Sequence, residues 1–253
     1  MAIAVRQSTP VASTGGAGDG VFASGGTKNM TLGSATISGG LLVVILTMYD
    51  SNFSTNASIS DNKGNTFTNL IYYESVDYTI AVWYCNNFTG GASHQFTATA
   101  STGGYGAFSV AEITGCATSD VVDSGATSTE TTTSGTGVTT ASVTSPTLSQ
   151  AEEIVFGIHI IDSGEADDGT PSLTTGGGSL YIRENIIADH IGFAAYTITS
   201  STSPVTHSWA YGTTIDASAN VFRATCAFKA PAAASSTGKL INRRGTKFFN
   251  RRF

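Results

Sequence analysis

Short apolar segments separated by Gly, Asn, Asp and Ser predict an all-β sandwich built from two similar halves. Helical periodicity is nearly absent, while period-two alternation and β-branched or aromatic runs return along the whole chain. The runs 41–49 (LLVVILTMY) and 153–161 (EIVFGIHII) are almost wholly apolar, as central strands are; edge strands seldom tolerate such runs. Segments also recur at a spacing of about 112 residues, too long for a solenoid repeat. GGLLVVILTMYD (39–50) parallels AEEIVFGIHIID (151–162), and GAFSVAEITGC (106–116) parallels NVFRATCAFKA (220–230). The stretch 78–100 parallels 190–210, each a strand, a polar turn and a strand with a His near its start.

Taken in order, alternation or β-branched content predicts strands at 2–7 and 30–37, then the continuous apolar strand 41–49. Strands 57–60 and 66–73 flank Asp61-Asn62-Lys63-Gly64-Asn65, a tight-turn signature because Asn, Asp and Gly tolerate positive φ. Strands 78–85, 94–100 and 106–114 complete the first half, about 2–123. The Ser/Thr/Gly-rich segment 124–147 reads as an exposed crossover with one edge strand at 138–144. The second half, 138–230, continues with 153–161, 179–187, 191–199, 205–210 and 220–229. Pro231 ends the last strand, and 231–238 (PAAASSTG) reads as a linker. The two halves are expected to share one core.

Composition narrows the class. Only 12% of residues are charged, and Gly, Ser, Thr and Ala fill the spaces between apolar runs, as in proteins facing the outside world. Cys85, Cys116 and Cys226 are an odd number without zinc spacing, so buried free thiols are expected rather than a disulfide framework. The N-terminal MAIAVRQSTPVAS does not read as a signal peptide, since its apolar stretch runs straight into Arg6. No run approaches a membrane span. The sequons at Asn29, Asn52, Asn56 and Asn87 then read as chance products of a Thr-rich chain. An outside-type composition without a secretion signal points to a virus particle released by lysis, with signal-less secretion as the competing route.

Catalytic signatures are missing. The four His residues show neither H-x-H nor H-E-x-x-H spacing, there is no G-x-S-x-G elbow, and the Gly-rich stretches lack a Lys-Ser/Thr ending. Asp189–His190 are strand neighbours that point to opposite faces. Glu165, Asp167 and Asp168 form an acidic loop that is either solvated or a weak Ca²⁺ site. Neither cofactor nor metal is expected, and the chain does not read as an enzyme. Trp83 and Trp209 are the candidate glycan platform, with core packing as the competing fate of such aromatics.

The stretch SISDNKGNTFT (58–68), then IAVWYCNNFTGGASHQFTATA (80–100), AFSVAEITG (107–115) and the closing VFRATCAFKA (221–230) resemble a diffuse group of bacterial and bacteriophage β-sandwich proteins. In that group a D-x-x-G-N-T hairpin precedes an aromatic strand, and the domain closes on an F-K motif. The resemblance covers residues 2–230, and its motifs are turns and strands. It implies a jelly-roll-like sandwich and a phage virion or cell-surface role. It brings no catalytic residues, and homo-oligomers, trimers or rings, follow from it by analogy.

The C-terminal segment lies outside that pattern. Residues 239–253 carry six of the twelve Lys and Arg, namely Lys239, Arg243, Arg244, Lys247, Arg251 and Arg252, and none of the eighteen Asp and Glu. The body 1–238 therefore balances near −12 and the tail near +6. Phe248, Phe249 and Phe253 sit among these charges. Exposed ion pairs contribute about 0.2–1 kcal/mol each, whereas a buried Phe contributes about 1.5–3 kcal/mol before ordering costs. The Phe side chains would then supply affinity, and the cations steering and register. The expectation is an arm docking into another virion protein, in preference to nucleic acid, membrane or a solvated end. The competing function is a lectin-like adhesion module.

Overall fold

The computed structural model describes residues 2–8, 19–22, 26–49, 57–74, 78–99, 104–133, 138–162, 172–185, 190–215 and 220–232. The first half contains β1 (Ala4–Ser8), β2 (Asp19–Phe22), β3 (Thr27–Thr31), β4 (Leu41–Tyr49), β5 (Ser58–Asp61), β6 (Thr68–Glu74), β7 (Tyr78–Asn86), β8 (Gln95–Thr99) and β9 (Gly104–Thr114). The second contains β10 (Val122–Thr133), β11 (Val138–Thr144), β12 (Glu152–Asp162), β13 (Ser172–Thr175), β14 (Gly178–Asn185), β15 (His190–Ser200), β16 (Thr206–Ile215) and β17 (Asn220–Lys229). The protein is all-β, and its strand pairings are antiparallel.

The strand order repeats term by term. The large sheet of the first half runs β1-β9-β4-β7-β6, with β2 also on β9, and its small sheet runs β3-β8-β5. The second half gives β10-β17-β12-β15-β14 and β11-β16-β13. First and last strands of each half are neighbours, and the chain passes repeatedly between the two sheets of its half in a jelly-roll-like winding, staying within the large sheet only at β1–β2, β6–β7 and β14–β15.

Each half is thus a complete sandwich with its own interior. The expected single shared core is instead three stacked ones. In β4 the even-numbered Leu42, Val44, Leu46 and Met48 face the small sheet of their own half, packing with Met30, Phe96 and Ala98. The odd-numbered Leu41, Val43 and Ile45 face the second half, packing with Ile154, Phe156, Ile158 and Phe228. On the far side, Phe193, Ala195 and Val221 meet Ala141, Val143 and Trp209. The order of layers is small, large, large, small. This explains why 41–49 and 153–161 are apolar without alternation: both faces of those strands are covered.

The halves run in the same sense. Tyr78, at the start of β7, stacks on Phe222 at 5.1 Å between centroids, and Tyr84, near the end of β7, meets Phe228 at 5.7 Å. One end of the molecule therefore carries Ala4, Thr114, Val122 and Lys229, and the opposite end carries Tyr49, Glu74, Thr133 and Asn220. The first strand begins, and the last strand ends, at the same pole.

Several sequence-based assignments change. The segment 124–147 is not mainly crossover: its first part belongs to β10, which pairs along β17 as β1 pairs along β9. Strands β2 and β13 are additional to the expected ones, and 30–37 is strand only to Thr31. The acidic loop at 165–168, the latter part of the linker (233–238) and the tail 239–253 lie outside the described residues.

Candidate functional site

Several organised polar groups lie at the pole from which the chain leaves the body. In the first sandwich they centre on Asp61, which ends β5. Asp61 Oδ1 accepts the backbone N–H groups of Lys63 and Asn65, both at 3.0 Å, and Oδ2 accepts Asn65 Nδ2 at 2.6 Å. His94 Nε2 donates to Asp61 Oδ2 at 2.8 Å, and its Nδ1 pairs with Thr36 Oγ1 at 2.8 Å. Burial works against the carboxylate, but the donors from Asn65, His94 and Lys63 outweigh it and hold Asp61 below the usual range. Gly64, at φ 75°, lets the turn close. Asn65 then reaches the loop after β7, donating to Thr89 O and accepting its N–H. The D-x-x-G-N motif is therefore a knot tying three loops together.

An Asp–His–Thr row resembles a nucleophilic relay, but its geometry is that of a strut. His94 is fully buried, Thr36 is 5% exposed, and Thr36 Oγ1 already accepts Gly91 N–H at 3.0 Å. His94 also lies flat on Phe96 at 4.3 Å. No face of the row is open to a substrate. Nearby, Glu112 is buried on β9 and accepts from Arg6 Nη1 at 2.6 Å, from Gln7 and from Ile37 N–H at 2.7 Å. These bonds fasten β1 and the β3–β4 loop to the sheet.

The second sandwich replaces the strut with an aromatic cluster. His207 matches His94 in register, but its ring fits between Gly157 and Gly176, where an added Cβ would lie 2.5 Å from it in either case. Gly176 holds φ 109°. His207 Nε2 meets Thr197 Oγ1 at 3.2 Å, and burial pushes its pKa down to about 4. His159 stacks on Phe193 at 4.8 Å. Its Nε2 accepts from Arg223 Nε at 3.1 Å, which puts the proton of the neutral ring on Nδ1. Burial, and then the Arg223 charge, keep it neutral.

The two tryptophans are corrected to core residues. Trp83 is 5% exposed and packs beneath the small sheet of the first half, and Trp209 is fully buried beside Phe193 at 4.7 Å. A sugar platform needs a free ring face; neither Trp83 nor Trp209 has one. Both faces of β7 are covered along most of its length, which buries Trp83. Tyr84, next to Trp83 on β7, is partly exposed at the seam between the halves. It borders an open recess of about 420 Å³ with Thr66, Thr68, Asn86 and Asp120. A second recess, of about 320 Å³, lies where the last strand ends, between Ser119, Asp120, Gln150 and Pro231. The ion pair of Lys229 Nζ with Asp120, at 2.7 Å, stands between the two. Sequence reasoning missed this seam because its residues are mostly polar and come from β6, β7 and separate loops.

The tail residues Lys239, Arg243, Arg244, Lys247, Phe248, Phe249, Arg251, Arg252 and Phe253 lie outside the described residues. The chain reaches them through Pro231 at the pole just described. Cys85 and Cys226 are buried and Cys116 is half-buried, all as free thiols, and burial pushes Cys116 up to about 12. Among the described residues no three His, Cys, Asp or Glu side chains gather in an arrangement that could hold a metal ion. No protein-family model matches the chain, and no curated protein matches it.

Proposed function

We propose that the protein is a structural component of a bacteriophage virion, a capsid decoration or cement protein or a tail component, moored to another virion protein by residues 239–253. The observation that carries this reading is polarity. The first strand begins and the last strand ends at one pole, so a cationic, Phe-bearing C-terminal segment leaves the body there. The opposite pole is thereby turned away from the mooring point. A body near −12 and a tail near +6 suit a docking groove that is acidic and partly apolar, with Phe248, Phe249 and Phe253 as anchors. A body of three stacked cores suits a structural role and a homo-oligomeric arrangement on the particle. The test is deletion of 239–253. The shortened protein is expected to stay folded and soluble but to be lost from purified particles; normal incorporation would sink the proposal.

A second reading is glycan binding in host attachment. With Trp83 and Trp209 in the core, its support is the seam recess, where Tyr84 offers an aromatic surface and Asn86 and Asp120 offer polar groups. Glycan-array binding that disappears in Tyr84→Ala would favour it, and no binding at millimolar ligand would remove it.

A further inference from the structure

Two buried carboxyl groups meet where the chain leaves the body. Asp123 is 3% exposed and starts the bulge of β10, and Glu153 is fully buried one residue into β12. Asp123 Oδ1 accepts Gly125 N–H at 3.2 Å, and Oδ2 accepts Ser149 N–H at 2.7 Å. Glu153 Oε1 accepts Gln150 N–H at 3.1 Å and Ser149 Oγ–H at 3.3 Å. Glu153 Oε2 is buried without a donor, and Ser149 joins the two carboxyls, its N–H on Asp123 Oδ2 and its Oγ–H on Glu153 Oε1.

We propose that the two carboxyls share one proton, carried on Glu153 Oε2 and donated to Asp123, and that this proton clasps the exit of the C-terminal chain. Without it, two like charges would face each other away from water. With it, the orphaned oxygen becomes a donor and all four carboxyl oxygens are engaged. A divalent cation is the wrong occupant: three of the four oxygens already hold N–H or O–H donors, whereas a cation would need their lone pairs. The environments agree. Burial, and then the Asp123 charge, push Glu153 up to about 7. Burial also acts on Asp123, but the Ser149, Glu153 and Gly125 donors outweigh it and keep Asp123 ionised.

No surrounding charge takes over the role of the proton. From β17, Lys229 stands opposite Glu153 in register, but its Nζ is committed to the exposed Asp120. From β15, the residue opposite is Thr199. From β10, the loop before β12, β12 and β17 come Ala126, Leu148, Val155 and Ala227, an apolar cluster. The neighbouring Glu152 is exposed.

The link to the exit is Gln150. Its N–H holds Glu153, while its Nε2 donates to Ala230 O at 3.1 Å and to Glu152 O at 2.9 Å. Ala230 N–H donates back to Glu152 O at 2.9 Å, immediately before Pro231. Loss of the proton loosens Ser149–Gln150 and with it the root of the C-terminal segment. This clasp belongs to the body alone, so it stands or fails independently of what 239–253 binds.

The sign of the pH dependence follows from linkage. Between the ordinary Glu value of 4.5 and about 7, the folded protein holds a proton that the unfolded chain has released. Stability therefore falls as pH rises through that window and is level above it. The buried His207 acts in the opposite direction between about pH 4 and 6.5, so Glu153→Gln is the reference that isolates the effect. The Gln side chain donates to Asp123 at every pH.

The experiment is a ¹³C carboxyl NMR titration of the full-length protein, with amide exchange in wild type and Glu153→Gln. A Glu153 midpoint near neutral is expected. Corrected for intrinsic chemistry, exchange of the Gln150 and Ala230 amides at pH 8.5 is expected to be about tenfold faster in wild type than in the variant, a factor that corresponds to one pK unit. A midpoint in the ordinary carboxylate range overturns the shared proton even if the variant does not fold. Equal exchange rates overturn the clasp.

Discussion

Individual side chains show how the two halves diverged around one plan. His94 and His207 occupy the same register, two residues before Phe96 and Trp209, yet only His94 found a carboxylate. Asp61→Ala would leave His94 Nε2 and the Lys63 and Asn65 donors without their acceptor. At about 1–3 kcal/mol for a buried unsatisfied group, a loss of about 3 kcal/mol is expected in urea denaturation. Because hydrogen bonds hold Asp61 below its usual range, its contribution is present above about pH 4 and is lost as acid protonates it. His207 tells the complementary story. Its slot depends on Gly157, so Gly157→Ala forces a Cβ to 2.5 Å from Nδ1. Overpacking of this kind costs about 1–3 kcal/mol, read as a lower midpoint in thermal unfolding with little change in the first sandwich. The folded state binds His207 in its neutral form and holds its pKa near 4. Its contribution is complete above about pH 6.5 and is lost as pH falls towards 4.

At the scale of strands, what the sequence makes legible follows burial. The strands β4, β7, β12, β15 and β17 are recognisable because their apolar residues are continuous or regular, and the recurrence of His94 and His207 gives the duplication away. Strand β10 is not recognisable. It is a Thr- and Ser-rich edge whose pairing with β17 comes from backbone hydrogen bonds, with Ala126 as its fully buried contact. Its polar composition is what an exposed edge needs to avoid pairing with other chains. The strands β2 and β13 are four residues each, too short for a period to register. The same burial sets the order of opening. Amides of 42–47 and 154–160 should exchange only through global unfolding, whereas those of β1 and β10 should exchange through cheaper local opening. Hydrogen exchange measured strand by strand checks this; fast exchange in β4 would contradict the stacked-core description.

For the whole molecule, the sequence conveyed two halves but not their stacking, because period-two reasoning assigns each strand one buried face. Residues such as Val43 and Val44, adjacent and both buried, carry the information that two faces are covered, but a single strand does not say by what. The shared middle core has a consequence. The first half alone would expose Leu41, Val43, Ile45, Ile80 and Val82 together. Expressed without its partner half it should self-associate, and size-exclusion chromatography should show no stable monomer. The polar placement of the chain ends is the feature that turns this body into a mooring scheme, with the tail at one pole and the opposite pole facing away. The most direct measurement is hydrogen–deuterium exchange of 239–253 in the free protein and in purified particles. The account predicts rapid exchange in the free protein and strong protection of the segment around Phe248 and Phe249 in the particle. Equal, rapid exchange in both would contradict it.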